Sequence, residues 1–113
     1  MIIVLVGLPA SGKTTLGKFL SKELNIPYLE DVSTMEYLPC TCIVDNPYFC
    51  LEAARNKLQR TNRKFIFWYF ENDPEQCILN DRKRQRKQKS QSLIKYLSKQ
   101  YLPSEIHFKC FRG

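Results

Sequence analysis

The amino-acid sequence predicts an α/β fold with a parallel sheet, and three observations support this prediction. Short apolar runs typical of strands alternate along the chain with segments of helical periodicity. The first apolar run leads directly into a glycine-bounded turn and a helix. The chain has 113 residues, 43% of them hydrophobic and 26% charged, as in ordinary globular proteins. We therefore expect one folded domain that covers residues 1–113.

The first half of the chain is predicted to form three strands and two helices. Met1–Val6 has no polar position and is rich in Ile and Val, which is typical of a strand buried on both faces. Apolar residues at helical spacing predict a helix from about Lys13 to Leu24. Apolar runs at 26–29 and 40–44 predict the second and third strands. A second helix is expected from Asn46-Pro47 to about Thr61.

The second half is predicted to form two strands and two helices. Phe65–Phe70 (FIFWYF) is apolar throughout, which predicts a central strand covered on both faces. The next helix is expected from Asp73 to about Lys87, with its start marked by Asp73, Pro74 and Gln76. Another helix is expected from Ser90 or Ser92 until Pro103 ends it. The alternation over 106–110 predicts a fifth strand at the sheet edge.

The net charge of +7 comes mainly from one segment. Residues 82–89 (RKRQRKQK) carry six positive and no negative charges, which leaves about +1 for the rest of the chain. The apolar runs are far shorter than the ~20 residues of a membrane span. The five cysteines lack C-x-x-C spacing and the chain has one His, so we expect reduced thiols. The sequence thus predicts a cytoplasmic protein without a membrane partner.

Residues 7–14 (GLPASGKT) match the P-loop pattern G-x-x-x-x-G-K-[ST] between a strand and a helix. Gly7 and Gly12 are expected to let backbone N–H groups form an anion-binding nest at the helix start. The motif predicts ATP binding, with Lys13 at the β- and γ-phosphates and Thr14 on Mg²⁺. The predicted cofactor-binding residues of this turn are Gly7, Pro9, Ala10, Ser11, Gly12, Lys13, Thr14 and Thr15.

Acidic residues follow the second and third predicted strands. Asp45 is the candidate for the second magnesium ligand, because ligands of open α/β sheets bind at the carboxyl ends of the strands. The alternative is that Asp45 only caps the next helix. Asp31 is the candidate for the base that accepts the proton of an acceptor hydroxyl. The adjacent Glu30 is the less favoured candidate. Because neighbours in an extended segment point to opposite sides, only one of the two acids is expected to face the cleft.

The basic segment has three interpretations. Arg82 and Arg86 are four residues apart on a helix, so they could close over phosphates as a lid. The same charges could follow a nucleic-acid backbone, in which case binding would depend strongly on salt. A charge run of this kind is also compatible with a plain solvated helix face.

Together, GLPASGKTT, Asp31, the CIVDNP segment and the ENDPEQC…RKR helix resemble a small P-loop kinase of the polynucleotide 5′-hydroxyl kinase type. The resemblance extends from Met1 to about Tyr101. It implies a P-loop NTPase fold with a five-stranded parallel sheet of order 2-3-1-4-5, and a basic lid helix at about 73–89. It also implies that Asp31 is the general base and that Arg84 is a catalytic arginine that clamps the donor phosphates.

Two positions depart from that family. Asn80 stands where a further lid arginine is usual, and no arginine occurs between Val32 and Leu38, where the family grips an acceptor phosphate. We expect Mg²⁺-dependent transfer of the ATP γ-phosphoryl to a hydroxyl, with a nucleic-acid 5′ end as first acceptor. The alternatives are a nucleoside, a nucleoside monophosphate or another small molecule. A non-catalytic nucleotide- or nucleic-acid-binding regulator is the rival from another class.

Overall fold

A computed structural model of the chain describes residues 1–32, 38–84 and 90–112. Helices and strands alternate along it, and the α/β class is confirmed. In chain order the elements are β1 (Ile2–Val6), α1 (Lys13–Leu24), β2 (Tyr28–Leu29), β3 (Cys42–Asp45), a 3₁₀ helix (Pro47–Cys50), α2 (Glu52–Gln59), β4 (Phe65–Tyr69), α3 (Pro74–Lys83) and α4 (Gln91–Ser98).

The described part of the sheet has four strands in the order β2-β3-β1-β4, and every neighbouring pair is parallel. These four strands lie in the predicted order. Leu5 of β1 lies opposite Asp45 of β3, so the acidic end of β3 is level with the end of β1. The carboxyl ends of β1, β2 and β3 therefore meet at one edge of the sheet, beside the P-loop.

Strand β1 is the centre of the core. Its side chains alternate between the two faces of the sheet, as the pleat of a strand requires. Ile2, Val4 and Val6 belong to a large apolar cluster that buried residues of α3 and α4 complete. Ile3 and Leu5 pack on the other face, together with apolar residues of α1. The sheet is thus covered on both faces, and the prediction of a fully buried first strand is confirmed.

The predicted fifth strand is absent from the described residues. Residues 106–110 run beside β4 but form a single parallel bridge, between Phe70 and Phe108. The His107 ring explains this, because its Nδ1 accepts a hydrogen bond from the Tyr69 N–H (3.0 Å) and removes that donor from the strand pairing. The predicted order 2-3-1-4-5 is therefore wrong in its last member.

Strand β4 lies at the edge of the described sheet, whereas its apolar sequence predicted a central position. Its aromatic side chains cover one another instead. The rings of Phe65, Phe67 and Tyr69 stack at centroid distances of 6.4 Å, and Trp68 packs edge-on against Phe108. Aromatic strands shield their own faces in this way, so apolar composition alone does not distinguish a central strand from an edge strand.

The bounds of α1 agree with the prediction, but later helices are shorter. The helix expected from residue 46 is split, because Leu51 is extended (φ −84°, ψ 129°) between the 3₁₀ helix and α2. The expected lid helix ends at Lys83, and Arg84 is extended (ψ 138°). All five cysteines are free thiols, as expected. Within residues 1–32, 38–84 and 90–112 no helix has the length and apolarity that crossing a bilayer requires.

Candidate active site

The P-loop connects β1 to α1 by a turn with two left-handed residues, Ala10 (φ 66°) and Gly12 (φ 107°). Gly7 is needed for a different reason from the expected one. A Cβ atom at Gly7 would lie 2.7 Å from Ser11 Oγ and 3.0 Å from Phe70 Cβ, so both side chains would have to shift to admit it. Close packing, not an unusual φ, therefore favours glycine at the start of the motif.

Lys13 begins α1, and its side chain folds back over the P-loop. The ammonium Nζ donates to the carbonyl oxygens of Gly7 (2.8 Å) and Leu8 (2.9 Å). Burial lowers the pKa of Lys13, while the nearby Cys50 and Asp45 partly oppose that effect. A buried cation that donates to two carbonyl oxygens gains strongly from a further anion, so this position suits a phosphate.

Asp45 ends β3 and is 4% exposed. Its Oδ2 accepts a hydrogen bond from the Tyr28 hydroxyl, and its Oδ1 lies 3.5 Å from the Asp31 N–H. Burial raises the pKa of Asp45 above its ordinary value. The capping role belongs to Asn46, whose Oδ1 accepts from the Tyr48 N–H at 2.9 Å. The alternative that Asp45 serves only as a helix cap is therefore wrong.

Asp31 and Glu30 both line the cavity beside Lys13, although only one of them was expected to face it. Strand β2 ends at Leu29, and Asp31 adopts a left-handed conformation (φ 52°). This turn interrupts the extended alternation of side chains, so consecutive acids reach the same space. The structure thus keeps both candidates for the base near the P-loop.

A polar cavity of about 80 Å³ brings the predicted catalytic and metal-binding residues together at the carboxyl edge of the sheet. The P-loop, the two acidic strand ends and the end of α3 each contribute to it. Its lining residues are Pro9, Ala10, Lys13, Thr14, Glu30, Asp31, Asp45, Pro47 and Arg84. Four segments that are distant in sequence therefore meet in this cavity.

Of the predicted lid residues, Arg84 reaches this cavity and Arg82 does not. Arg82 is exposed and lies two positions after Asn80 on α3, about 200° around the helix axis from the face that meets the P-loop. The expected phosphate contact of Arg82 is therefore not supported by its position. Arg86 lies outside the described residues.

A second cavity of about 240 Å³ adjoins the first and is lined by Ala10, Gly12, Thr15, Asn80, Lys83, Arg84 and Phe111. Asn80 is a residue that sequence reasoning missed as part of the site. Its Nδ2 donates to the carbonyl oxygens of Ala10 (2.9 Å) and Phe111 (2.7 Å). Asn80 thereby connects the P-loop to the C-terminal segment. In the sequence, the one sign of this role is that Asn80 occupies a position of the basic helix where arginine is usual.

Comparison with known proteins identifies the family. A family model described as an AAA domain matches residues 3–107. The chain belongs to this AAA domain family.

Similar proteins refine the assignment of this AAA domain chain. Shikimate kinase of Flavobacterium psychrophilum is 64% identical over 28 residues, which are 25% of the chain and 16% of that protein. Shikimate kinase of Chlamydia pneumoniae is 51% identical over 39 residues, which are 33% of the chain and 22% of that protein. The matched segments thus span less than a quarter of either curated relative.

The fold of the AAA domain chain has a solved counterpart. A gluconokinase from Sinorhizobium meliloti 1021 superposes with a TM-score of 0.68 at 13% identity, over 96% of this chain and 79% of that one. All three similar proteins are named kinases, so the comparisons support a P-loop kinase. They do not support the polynucleotide kinase type in particular, and they fit the small-molecule alternative better.

The donor atoms of the AAA domain site fit Mg²⁺. In the described ranges no three His, Cys, Asp or Glu side chains form a metal cage. Mg²⁺ commonly uses one or two protein oxygens, and water and substrate phosphates complete its shell. The Asp45 carboxylate and the Thr14 hydroxyl line one cavity beside the P-loop and provide oxygen donors of this kind.

Gly17 on α1 is a further position that packing decides. A Cβ atom there would lie 2.7 Å from Cδ1 and Cζ of the Tyr28 ring. We expect Gly17→Ala to lower the free energy of unfolding by about 1–3 kcal/mol, because overpacking outweighs the roughly 1 kcal/mol gain in helix propensity. Urea unfolding measures the change. Glu23→Ala, an exposed site on the same helix, is the control, and a Gly17→Ala protein as stable as that control would contradict the packing argument.

Proposed function

We propose that the chain is a P-loop kinase that transfers the γ-phosphoryl of ATP to a hydroxyl of a small molecule. The observation that carries this proposal is the single cavity that Lys13, Thr14, Asp31, Asp45 and Arg84 line. A cation, oxygen donors for a metal and a base are the groups that phosphoryl transfer requires. The kinase names of the similar proteins support the same reaction class.

In the proposed reaction the acceptor hydroxyl oxygen attacks the γ-phosphorus, and the bond to the β,γ-bridging oxygen breaks. The Asp31 carboxylate takes the hydroxyl proton as the new P–O bond forms, and ADP leaves. Lys13, the P-loop amides and Arg84 stabilise the negative charge that develops on the phosphate oxygens. Thr14 and Asp45 would hold Mg²⁺, which would supply positive charge against the nucleotide phosphates.

The acidic rim of the cavity supports a neutral acceptor. Glu30 and Asp31 both face the space next to Lys13. The sequence from Val32 to Leu38 has no Arg or Lys that would bind an anionic group of the acceptor. Carboxylates hydrogen-bond well to hydroxyl groups and repel carboxylates or phosphates. We therefore propose a polyol, sugar or nucleoside as acceptor, rather than an acid or the 5′-hydroxyl end of a nucleic acid with its anionic phosphodiesters.

The test uses γ-labelled ATP, Mg²⁺ and a panel of acceptors. The panel contains neutral polyols, sugars and nucleosides, the acids shikimate and gluconate, nucleoside monophosphates and 5′-hydroxyl oligonucleotides. Label is expected on a neutral small molecule and is expected to disappear in Lys13→Ala and Asp31→Asn proteins.

The other outcomes distinguish a nucleic-acid kinase, a kinase of acidic small molecules and a nucleotide-binding regulator. Label on an oligonucleotide would overturn the small-molecule proposal in favour of a nucleic-acid kinase. Label on shikimate or gluconate would keep the reaction class and overturn the neutral acceptor. ATP binding with no label on any acceptor would instead indicate a nucleotide-binding regulator.

A further inference from the structure

Tyr28 lies beside the proposed metal ligands and has no part in the reaction described above. It is the first residue of β2 and pairs in register with Ile43 of β3. Its ring packs on the bare backbone of Gly17, where no Cβ would fit. This contact and the short strand fix the direction of the ring, so the phenol hydroxyl reaches the carboxyl edge of the sheet.

The hydroxyl of Tyr28 lies beside the two oxygen donors that are proposed to hold Mg²⁺. It donates to Asp45 Oδ2, and the Thr14 side chain lies near it. Glu30 Oε1 lies at 3.5 Å from the same hydroxyl. The phenol oxygen is therefore bonded to one candidate ligand and close to the other.

A cation held by Asp45 would need lone pairs of its carboxylate. Mg²⁺ takes oxygen ligands, directly or through its waters. The Tyr28 hydroxyl already donates to Oδ2 of this carboxylate. The phenol and the cation, or one of its inner waters, would therefore compete for the same oxygen.

We propose that the Tyr28 hydroxyl is a placeholder for magnesium, which satisfies Asp45 in the metal-free protein and must release it when the cation binds. Tyr28 thereby lowers the affinity of the site for Mg²⁺, and binding becomes favourable when nucleotide phosphates supply further ligands. The buried Asp45 carboxylate is thus paired in both states, with the phenol hydroxyl or with the cation, and is never left unpaired in the protein interior. This inference rests on the proposed function.

The test compares Tyr28→Phe with wild type by calorimetric titration of Mg²⁺ into protein that is saturated with a non-hydrolysable ATP analogue. Phenylalanine keeps the ring on Gly17 and removes only the hydroxyl. We expect about tenfold tighter Mg²⁺ binding, because the competing charge-assisted hydrogen bond is gone. Tyr96→Phe, at an exposed site on α4, is the matched control and is expected to bind Mg²⁺ like wild type.

Thermal unfolding without metal gives a second measurement. Tyr28→Phe is expected to lower Tm in the wild-type background and to have a smaller effect in Asp45→Asn, where the acceptor carries no charge. Equal or weaker Mg²⁺ affinity of Tyr28→Phe, with normal binding by wild type, would overturn the placeholder inference alone. Absence of Mg²⁺ and nucleotide binding in wild type would overturn the proposed function and this inference together.

Discussion

The Lys13→Ala protein is expected to lose phosphoryl transfer by about 10²- to 10³-fold in kcat, as when a preorganised charge donor is removed from a transition state. Lys13 is the buried cation of the cavity, and its ammonium already points into the P-loop through Gly7 and Leu8. The variant removes the positive charge that would stabilise the γ-phosphoryl group during transfer. Steady-state kinetics with the acceptor found in the panel measures the loss.

The folded state is expected to tolerate this substitution. Burial already lowers the pKa of Lys13, which means that the charged ammonium is held at some cost in the nucleotide-free protein. Lys18→Ala removes an equal charge from an exposed position of α1 and is expected to leave kcat unchanged. A Lys13→Ala protein with normal kcat would contradict the active-site assignment, and so would an equal loss in Lys18→Ala.

The Asp45→Asn protein is expected to be less active but more stable at neutral pH without metal. The loss of activity, on the order of 10²-fold in kcat, follows from the missing charge at the proposed metal position. The gain in stability follows from burial, which raises the pKa of Asp45 and so disfavours its ionised form in the folded state. Asparagine keeps an oxygen acceptor for the Tyr28 hydroxyl and carries no charge.

The pH dependence has a definite sign. Because the folded-state pKa of Asp45 is raised, the folded protein holds the proton more tightly than the unfolded chain does. Stability therefore falls as pH rises from the unfolded pKa of about 3.9 through the higher folded pKa. Above that range the loss of stability caused by ionised, buried Asp45 is complete and constant, and below about pH 4 this loss vanishes.

Urea unfolding of metal-free protein between pH 4 and pH 8 tests this prediction. The stability advantage of Asp45→Asn is expected to be small at pH 4, to grow as pH rises and then to level off. Glu23→Gln removes a carboxylate from an exposed site on α1 and is expected to show no such trend. An Asp45→Asn protein that is less stable than wild type at pH 7 would contradict the argument from burial.

Local patterns predicted much of the fold and part of the site. The P-loop, β1 and α1 lie where the sequence places them, because a strand, a turn and a helix start are specified by residues close together in the chain. Asp31 and Asp45 could be predicted as well, since parallel strands bring their carboxyl ends to one edge. Arg82 differs from expectation because it lies on the exposed face of α3, away from Asn80 and the P-loop.

Other features depend on contacts between distant segments. The edge position of β4 depends on which segment pairs beside it, and His107 interrupts the pairing of residues 106–110. Asn80 contacts the P-loop across 70 positions of sequence. No periodicity or local motif carries such information, because it arises only when the segments meet.

The amino-acid sequence by itself determined the phosphate-binding turn, the alternation of strands and helices, and the acids at the strand ends. Only the tertiary structure decided that both Glu30 and Asp31 face the cavity, and that the Tyr28 hydroxyl donates to Asp45. The physical reason is the distance along the chain over which each effect acts. Backbone preference and hydrophobic periodicity act within a few residues, whereas the direction of a side chain in a cavity depends on packing among all the elements around it.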